Sequence, residues 1–358
     1  MPYIQSIGIA EAPFKHAQKD ILSFMLDMYP EHFDQQDKVA RLYDRSEIET
    51  RYSAIEDFSL QKSERKFFVA DQEPTIEQRM KKYFEVAPVL AKQAILACIP
   101  SRNQLEQITH LITVSCTGIS APGLDIMLLR ELNLSPNIHR TSVNFMGCYA
   151  TMHALKMADA FCKADKDAKV LIVSIELCTL HFQNSCAMDQ IAASLLFGDG
   201  AAAALVSNEE GPYMIDQFYA EVNLQAFEDM SWNITSNGFL MSLSSYIPSI
   251  IAEKIEPMLV KALSQTHLTP HEIAHWAIHP GGKKIIQEVA KALSLTEEQT
   301  NVSRRILKDY GNMSSATILF VLYEMQQEIE NKNESVFCAA FGPGLTIESM
   351  ILQTSKPS

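Results

Sequence analysis

Asn144-Phe145-Met146-Gly147-Cys148-Tyr149-Ala150-Thr151 and, far downstream, Tyr310-Gly311-Asn312-Met313-Ser314-Ser315-Ala316 are two versions of one pattern, with cysteine after the glycine in the first and asparagine in the second. The segments C-terminal to the two glycines repeat as well. After Gly147 come small residues at helical spacing from Ala150 to Phe161, a charged stop from Lys163 to Asp167 and an apolar strand from Lys169 to Ile175. After Gly311 come a helical stretch from Ser314 to Ile329, a polar stop from Asn331 to Glu334 and an apolar strand from Ser335 to Ala340. The two glycines stand close to half a chain length apart. We read two related halves, 1–220 carrying the cysteine and 221–358 carrying a histidine and the asparagine, each setting one polar residue at the start of a buried helix.

Working outward, the pattern predicts helices over Ile21 to Met28 and Asp37 to Ile48, a strand over Leu111 to Val114 and a helix after Pro122. The turn Phe197-Gly198-Asp199-Gly200 leads into a strand from Ala201 to Val206. Later, Ile250, Ile251, Ile255, Met258, Leu259 and Ala262 recur at helical spacing, and Ala274 to Ile278 forms a short strand ending in His279, before an amphipathic helix from Ile285 to Leu293. Helices alternating with apolar strands read as α/β, with mixed or parallel sheets covered on both faces. No linker divides the chain, so the halves are expected to be fused by packing.

Composition narrows the class. Of the 358 residues 47% are hydrophobic, enough for a sizeable core, yet no stretch is long and apolar enough to span a membrane. Met1 to Ala10 lacks a secretion signal, which predicts the cytoplasm. A net charge of −13 opposes nucleic-acid binding, which needs a clustered basic face. The seven cysteines contain no CxxC pair, so neither a zinc site nor a disulfide framework is indicated.

Cys148 falls where the chain turns into a helix, and the unpaired N–H groups of a helix start favour a thiolate. His279 lies in Ala277-Ile278-His279-Pro280-Gly281-Gly282, at a strand end where a core residue is expected and where the turn lets a ligand approach the backbone. Each admits a plain reading alone: an inert buried thiol, a turn histidine, and, for Asn312, a helix cap. Three such residues at three strand-to-helix junctions point instead to nucleophilic chemistry.

The segments around Cys148, Phe197-Gly198-Asp199-Gly200-Ala201-Ala202, His279-Pro280-Gly281-Gly282, Tyr310-Gly311-Asn312-Met313-Ser314-Ser315 and Phe341-Gly342-Pro343-Gly344-Leu345 resemble, in order and approximate spacing, the type III polyketide synthases of the chalcone synthase superfamily. The resemblance runs from about Lys38 to the C-terminus. It implies a thiolase-like fold, a duplicated αβαβα architecture, working as a homodimer. It implies an acyltransferase that condenses malonyl-CoA repeatedly onto an acyl-CoA or acyl-ACP starter, without metal or redox cofactor. By the same resemblance Cys148 is the nucleophile, held as a thiolate by an imidazolium, and His279 and Asn312 stabilise the enolate left as CO2 departs. Phe197 matches an aromatic gatekeeper, and Met241 falls where plant members carry a second gatekeeper Phe. Cys116, Glu176 and Ser314 match cavity-lining positions. Lys38, Arg41 and Arg45, spaced to share one helix face, match the residues that meet CoA phosphates. Thr151 and Ala340 replace family glycines and are expected to reshape the cavity floor; Ala121 stands where plant relatives carry a Met that reaches into the partner's cavity. Small residues at 116 and 121 and a flexible one at 241 predict room for a fatty acyl starter and an alkylpyrone or alkylresorcinol product.

Ketoacyl-ACP synthase III shares the Cys/His/Asn set, but its His-Gln-Ala-Asn context is absent at His279. A papain-like protease would need a Cys-Gly-Ser-Cys-Trp signature that Cys148 lacks. A non-catalytic thiolase-fold partner would have no need of all three residues.

Overall fold

A computed structural model describes residues 1–29, 34–69, 72–236 and 238–355. In chain order its strands are β1 (Tyr3–Glu11), β2 (Phe14–Ala17), β3 (Thr50–Ser53), β4 (His110–Ser115), β5 (His139–Asn144), β6 (Lys169–Leu177), β7 (Asp199–Ser207), β8 (Tyr213–Val222), β9 (Met230–Thr235), β10 (Gly238–Leu243), β11 (Ile273–Ile278), β12 (Ser335–Gly342) and β13 (Thr346–Thr354). Nine of them form one sheet, ordered β11-β12-β13-β8-β1-β7-β6-β4-β5, and two ribbons, β2-β3 and β9-β10, lie apart from it.

The internal repeat is visible in the pairing. β4 runs parallel to β6, while β6–β7 and β7–β1 are antiparallel. Likewise β11 runs parallel to β12, while β12–β13 and β13–β8 are antiparallel. The two sets touch where β8 meets β1 at only Tyr213 and Met214. β8 pairs along its length with β13, so this strand of the second set begins before residue 220.

Helices complete five layers. Helix Ile76–Cys98 covers one face of β1, β6 and β7, and helices Ile247–Leu263 and Lys283–Ala292 cover the far face of the second set. Between the sets lie helices Ala150–Ala164 and Thr317–Glu328, the two expected from the repeat. This αβαβα arrangement is the thiolase-like fold. Burial explains the middle layer's composition. Residues Ile318 to Leu322 are all 0% exposed, so the first half of this helix is apolar all round and has no solvent face to encode; an exposed face begins only at Gln327 and Glu328. Truncating Phe320 there would cost about 3–5 kcal/mol. Helix Ile76–Cys98 passes β1 at Gly8, where any Cβ would collide with the backbone of Ala94 and Cys98.

The expected helix over Asp37 to Ile48 is shorter, Gln36–Asp44, because Ser46 turns its hydroxyl back to the Tyr43 carbonyl at 2.7 Å and Glu47 adopts φ 63°.

Candidate active site

Three junctions converge between the halves. Cys148 precedes helix Ala150–Ala164, Asn312 follows helix Asn301–Tyr310 and leads toward helix Thr317–Glu328, and His279 directly follows β11, where its N–H donates to the Ala339 carbonyl at 2.8 Å. All three line one chamber, together with Cys116, Thr117, Trp232, Met241, Phe341 and Pro343. Glycine allows the approach. Gly147 has φ 83° and a Cβ there would strike the Pro343 ring; one on Gly342 would meet Tyr149. The loop at 341–343 of one half therefore seats directly on the Cys148 turn of the other.

The Asn312 side-chain amide stands 3.9 Å from Cys148 Sγ. Its Oδ1 accepts the Ser314 N–H at 2.8 Å, which leaves Nδ2 as the donor facing the thiol and the chamber. Ser314 holds a left-handed φ of 48°, a strained conformation for a side chain other than glycine, at the chamber wall. The Gly147 N–H donates to Cys116 Sγ at 3.1 Å, tying the nucleophile's turn to the floor.

Burial, not the helix start, dominates the electrostatics. It pushes the Cys148 thiol up to about 11, with the Ser314 and Asn312 contacts opposing the rise. It pushes the His279 imidazole down to about 3, and both ring nitrogens lack a hydrogen-bond partner among the described residues. Burial alone thus opposes both charges of the thiolate–imidazolium pair that the resemblance implies. The chamber brings together a thiol, an imidazole whose two ring nitrogens have no partner among the described residues, and an amide donor.

The other expected positions divide. Phe197, Met241, Cys116 and Ser314 line the chamber. Glu176 does not; it is 0% exposed behind the floor, where it accepts the Cys116 N–H at 3.0 Å, the Thr117 hydroxyl at 2.9 Å and the Ser315 hydroxyl. Lys38, Arg41 and Arg45 are exposed, while Val39 and Tyr43 of the same helix are buried, so the basic residues share the outward face. That helix packs on helix Met188–Leu196, whose Gln190, Ala193 and Ser194 face a second cavity. Thr151 and Ala340 do not line the chamber: both are 0% exposed, and Thr151 uses its hydroxyl to bond the Ser315 carbonyl at 2.6 Å. Ala121 is exposed and away from the chamber.

The sequence did not announce that second cavity. It is lined by apolar Ile21, Met25, Phe58, Phe182 and Phe239 and also by polar His16, Arg51, Ser53, Gln183 and Gln190. Phe197, Trp232, Met241 and Cys178 border both spaces. Trp232 Nε1–H donates to the Cys116 carbonyl at 2.7 Å, and its ring stands edge-on to Phe239 and His181. His181 stacks on Phe239 at 4.1 Å, donates from Nε2 to the Thr117 carbonyl at 2.7 Å and accepts the Phe239 N–H at Nδ1, a fully satisfied neutral ring that burial holds down to about 3. Glu176, Trp232 and His181 together clamp the Cys116-Thr117 floor. A tryptophan amid the polar Asp229 to Asn237 stretch was the available clue.

Residues 4–210 match the family described as chalcone and stilbene synthases, N-terminal domain, and residues 220–356 match the C-terminal domain of the same family. The alpha-pyrone synthesis polyketide synthase-like Pks18 of Mycobacterium tuberculosis is 33% identical over 330 residues, covering 88% of this chain and 82% of that protein. Type III polyketide synthase A of Arabidopsis thaliana is 30% identical over 336 residues, 90% of this chain and 85% of that one. The crystal structure of PKS-I from the brown alga Ectocarpus siliculosus superposes with a TM-score of 0.92 at 28% identity, over 99% of this chain and 98% of that chain.

Proposed function

The chain belongs to the chalcone and stilbene synthase family and is a type III polyketide synthase, an acyltransferase, and we propose that it extends a fatty acyl thioester with malonyl-CoA and releases an alkylpyrone or alkylresorcinol. The observation that carries this reading is the second cavity beside the Cys148 chamber, whose apolar residues Ile21, Met25, Phe58, Phe182 and Phe239 offer a place for an alkyl tail while the polyketide grows at the thiol. Each methylene that leaves water there adds about 0.8 kcal/mol, so affinity climbs with starter length until the cavity is full. The name of the Mycobacterium tuberculosis relative, an alpha-pyrone synthesis protein, favours the pyrone.

In this mechanism His279, neutral and unpartnered, takes the Cys148 proton as sulfur attacks the starter's thioester carbonyl, and the carrier thiol leaves with that proton. Malonyl-CoA then enters. Its thioester oxygen accepts from the His279 N–H and from Asn312 Nδ2 while the C–C bond to the carboxylate breaks, CO2 departs and the electron pair becomes an enolate. The enolate carbon attacks the acyl carbonyl on Cys148, the C–S bond breaks and the thiolate is released for the next round. Both stabilisers are neutral donors, so they favour the charge that develops without needing a counter-charge in the ground state. Phe197 and Met241 gate the passage between cavities, Met241 with a flexible thioether that yields to a longer chain. Lys38, Arg41 and Arg45 hold the CoA phosphates of starter and extender, a carrier protein being the other source of starter, and the working unit is a homodimer. Among the described residues no helix is long and apolar enough to cross a membrane.

Mass spectrometry of products from competing starters tests the reading. Octanoyl and longer acyl-CoAs should outcompete p-coumaroyl-CoA; the reverse order would overturn the fatty acyl assignment and leave the Cys148 chemistry standing.

A further inference from the structure

We propose that Arg51 is a positioning residue for Asn312 and Phe197, a buried cation that sets the decarboxylation geometry from outside the chamber; the inference rests on Asn312 being a donor to the malonyl thioester oxygen. Arg51 lies on β3 and is 2% exposed. A buried guanidinium needs a full reason for its place. Its Nη1 donates to the carbonyls of Ser194 and Phe197, both at 2.6 Å, which closes the C-terminal end of helix Met188–Leu196 where carbonyls lack partners. Its Nε donates to Gln18 Oε1 at 2.8 Å, and Gln18 in turn donates to the Leu195 carbonyl at 3.0 Å. Of the consecutive residues Ser194 to Phe197, all but Leu196 thus have their carbonyls held by this pair.

The same stretch is bonded on its other side to Asn312. The Asn312 N–H donates to the Leu196 carbonyl at 2.9 Å, and the Gly198 N–H donates to the Asn312 carbonyl at 3.0 Å, a parallel bridge centred on Phe197 and Asn312. The Arg51 stem also packs on Gly311, where an added Cβ would lie 2.9 Å from Arg51 Cδ and 2.8 Å from the Leu196 carbonyl. From Arg51, then, rigid contacts run through Phe197 to the backbone of Asn312, whose amide stands 3.9 Å from Cys148 Sγ. The Cys148 turn is tied instead to Cys116 and Pro343. The two chemical steps should therefore respond differently to the loss of Arg51.

The test measures two rates per active site, with sites counted by end-point acylation of Cys148 in mass spectrometry. Arg51→Lys keeps the charge but cannot span Gln18 and both carbonyls. Malonyl-CoA decarboxylation per titrated site should fall about tenfold or more, while acylation of Cys148 by acetyl-CoA, whose chain is too short to reach the second cavity that Arg51 lines, stays within about twofold of the parent, because small misplacement of a donor costs the step that uses it. Equal falls in both rates, or no fall in decarboxylation, would overturn the proposal. Should Arg51→Lys not fold, Gln18→Ala carries the same test: decarboxylation falls relative to acylation, or the proposal fails. Asn312→Ala is run alongside. If it keeps decarboxylation, the role of Asn312 is wrong; if it loses decarboxylation and the Arg51 variant does not, only the role of Arg51 fails.

Discussion

Replacing Glu176 by glutamine should reverse the sign of this residue's effect on stability across neutral pH. Burial raises the Glu176 carboxyl from 4.5 to about 7, the bonds from Ser315, Cys116 and Thr117 only partly opposing the shift. The folded protein therefore keeps a proton on Glu176 that the unfolded chain releases at lower pH. Between those two values the native state binds more protons, so raising the pH removes stability, and the loss is complete above the folded value. A shift of that size corresponds to about 3 kcal/mol. Glutamine cannot ionise and has no such slope, though its amide must place an NH2 where the carboxylate accepted hydrogen bonds. Near pH 5 the substitution should be neutral or destabilising; near pH 8.5 it should be stabilising, the difference between the two conditions being about 3 kcal/mol. Asp199, raised to about 6, and His181 and His279, lowered to about 3, titrate alike in both proteins and cancel from the comparison. Urea unfolding of both proteins at one concentration, at about three pH values across this range, reads the quantity directly. A difference between parent and variant that stays flat to within about 1 kcal/mol would refute the reasoning and show Glu176 to be ionised throughout.

Other outcomes concern the chamber. Cys148→Ala should abolish polyketide extension while sparing some malonyl-CoA decarboxylation, since the acyl carrier is lost but His279 and Asn312 remain; full product formation by the variant would exclude Cys148 as carrier. Asn312→Ala should slow decarboxylation by about 3 kcal/mol at the transition state, far more than it slows starter loading, in single-turnover measurements. Met241→Phe should shorten the longest accepted starter, and Cys116→Trp should do so more severely, seen as a shift in product masses. Trp232→Ala should have the opposite effect by removing the partition between the two cavities, at the cost of the bond to the Cys116 carbonyl, and unchanged product lengths would show that the partition lies elsewhere.

Much of this molecule could be read from the chain because the repeat around Gly147 and Gly311 marks the two helices of the buried middle layer. Periodicity found the helices beginning at Ala150, Ile247 and Lys283, and apolar runs found β4, β6, β7, β11 and β12. It did not find β1, β8 or β13. In β1 the apolar residues Ile4, Ile7 and Ile9 do not alternate strictly, and Gly8 interrupts them for packing against Ala94 and Cys98, a tertiary reason invisible in the strand itself. Cys148, His279 and Asn312 were legible because polar residues stood where the pattern expected core. Glu176 was named only through the family resemblance, as a cavity-lining position, and the predicted strand stopped one residue before it; that it supports the floor from behind depends on the pairing of β6, which runs on to Leu177. Trp232 and Arg51 were missed for the same kind of reason: their meaning lies in what they touch across the fold, at Cys116 and at Phe197.

The ribbon β9-β10 carries both Trp232 and Met241, paired directly opposite each other, and none of Cys148, His279 or Asn312. Two of the residues that border both cavities therefore sit on one covalent segment, and the residues of the Cys148 chemistry sit on others. Exchanging that hairpin between relatives should alter what is made while the means of making it stay in place.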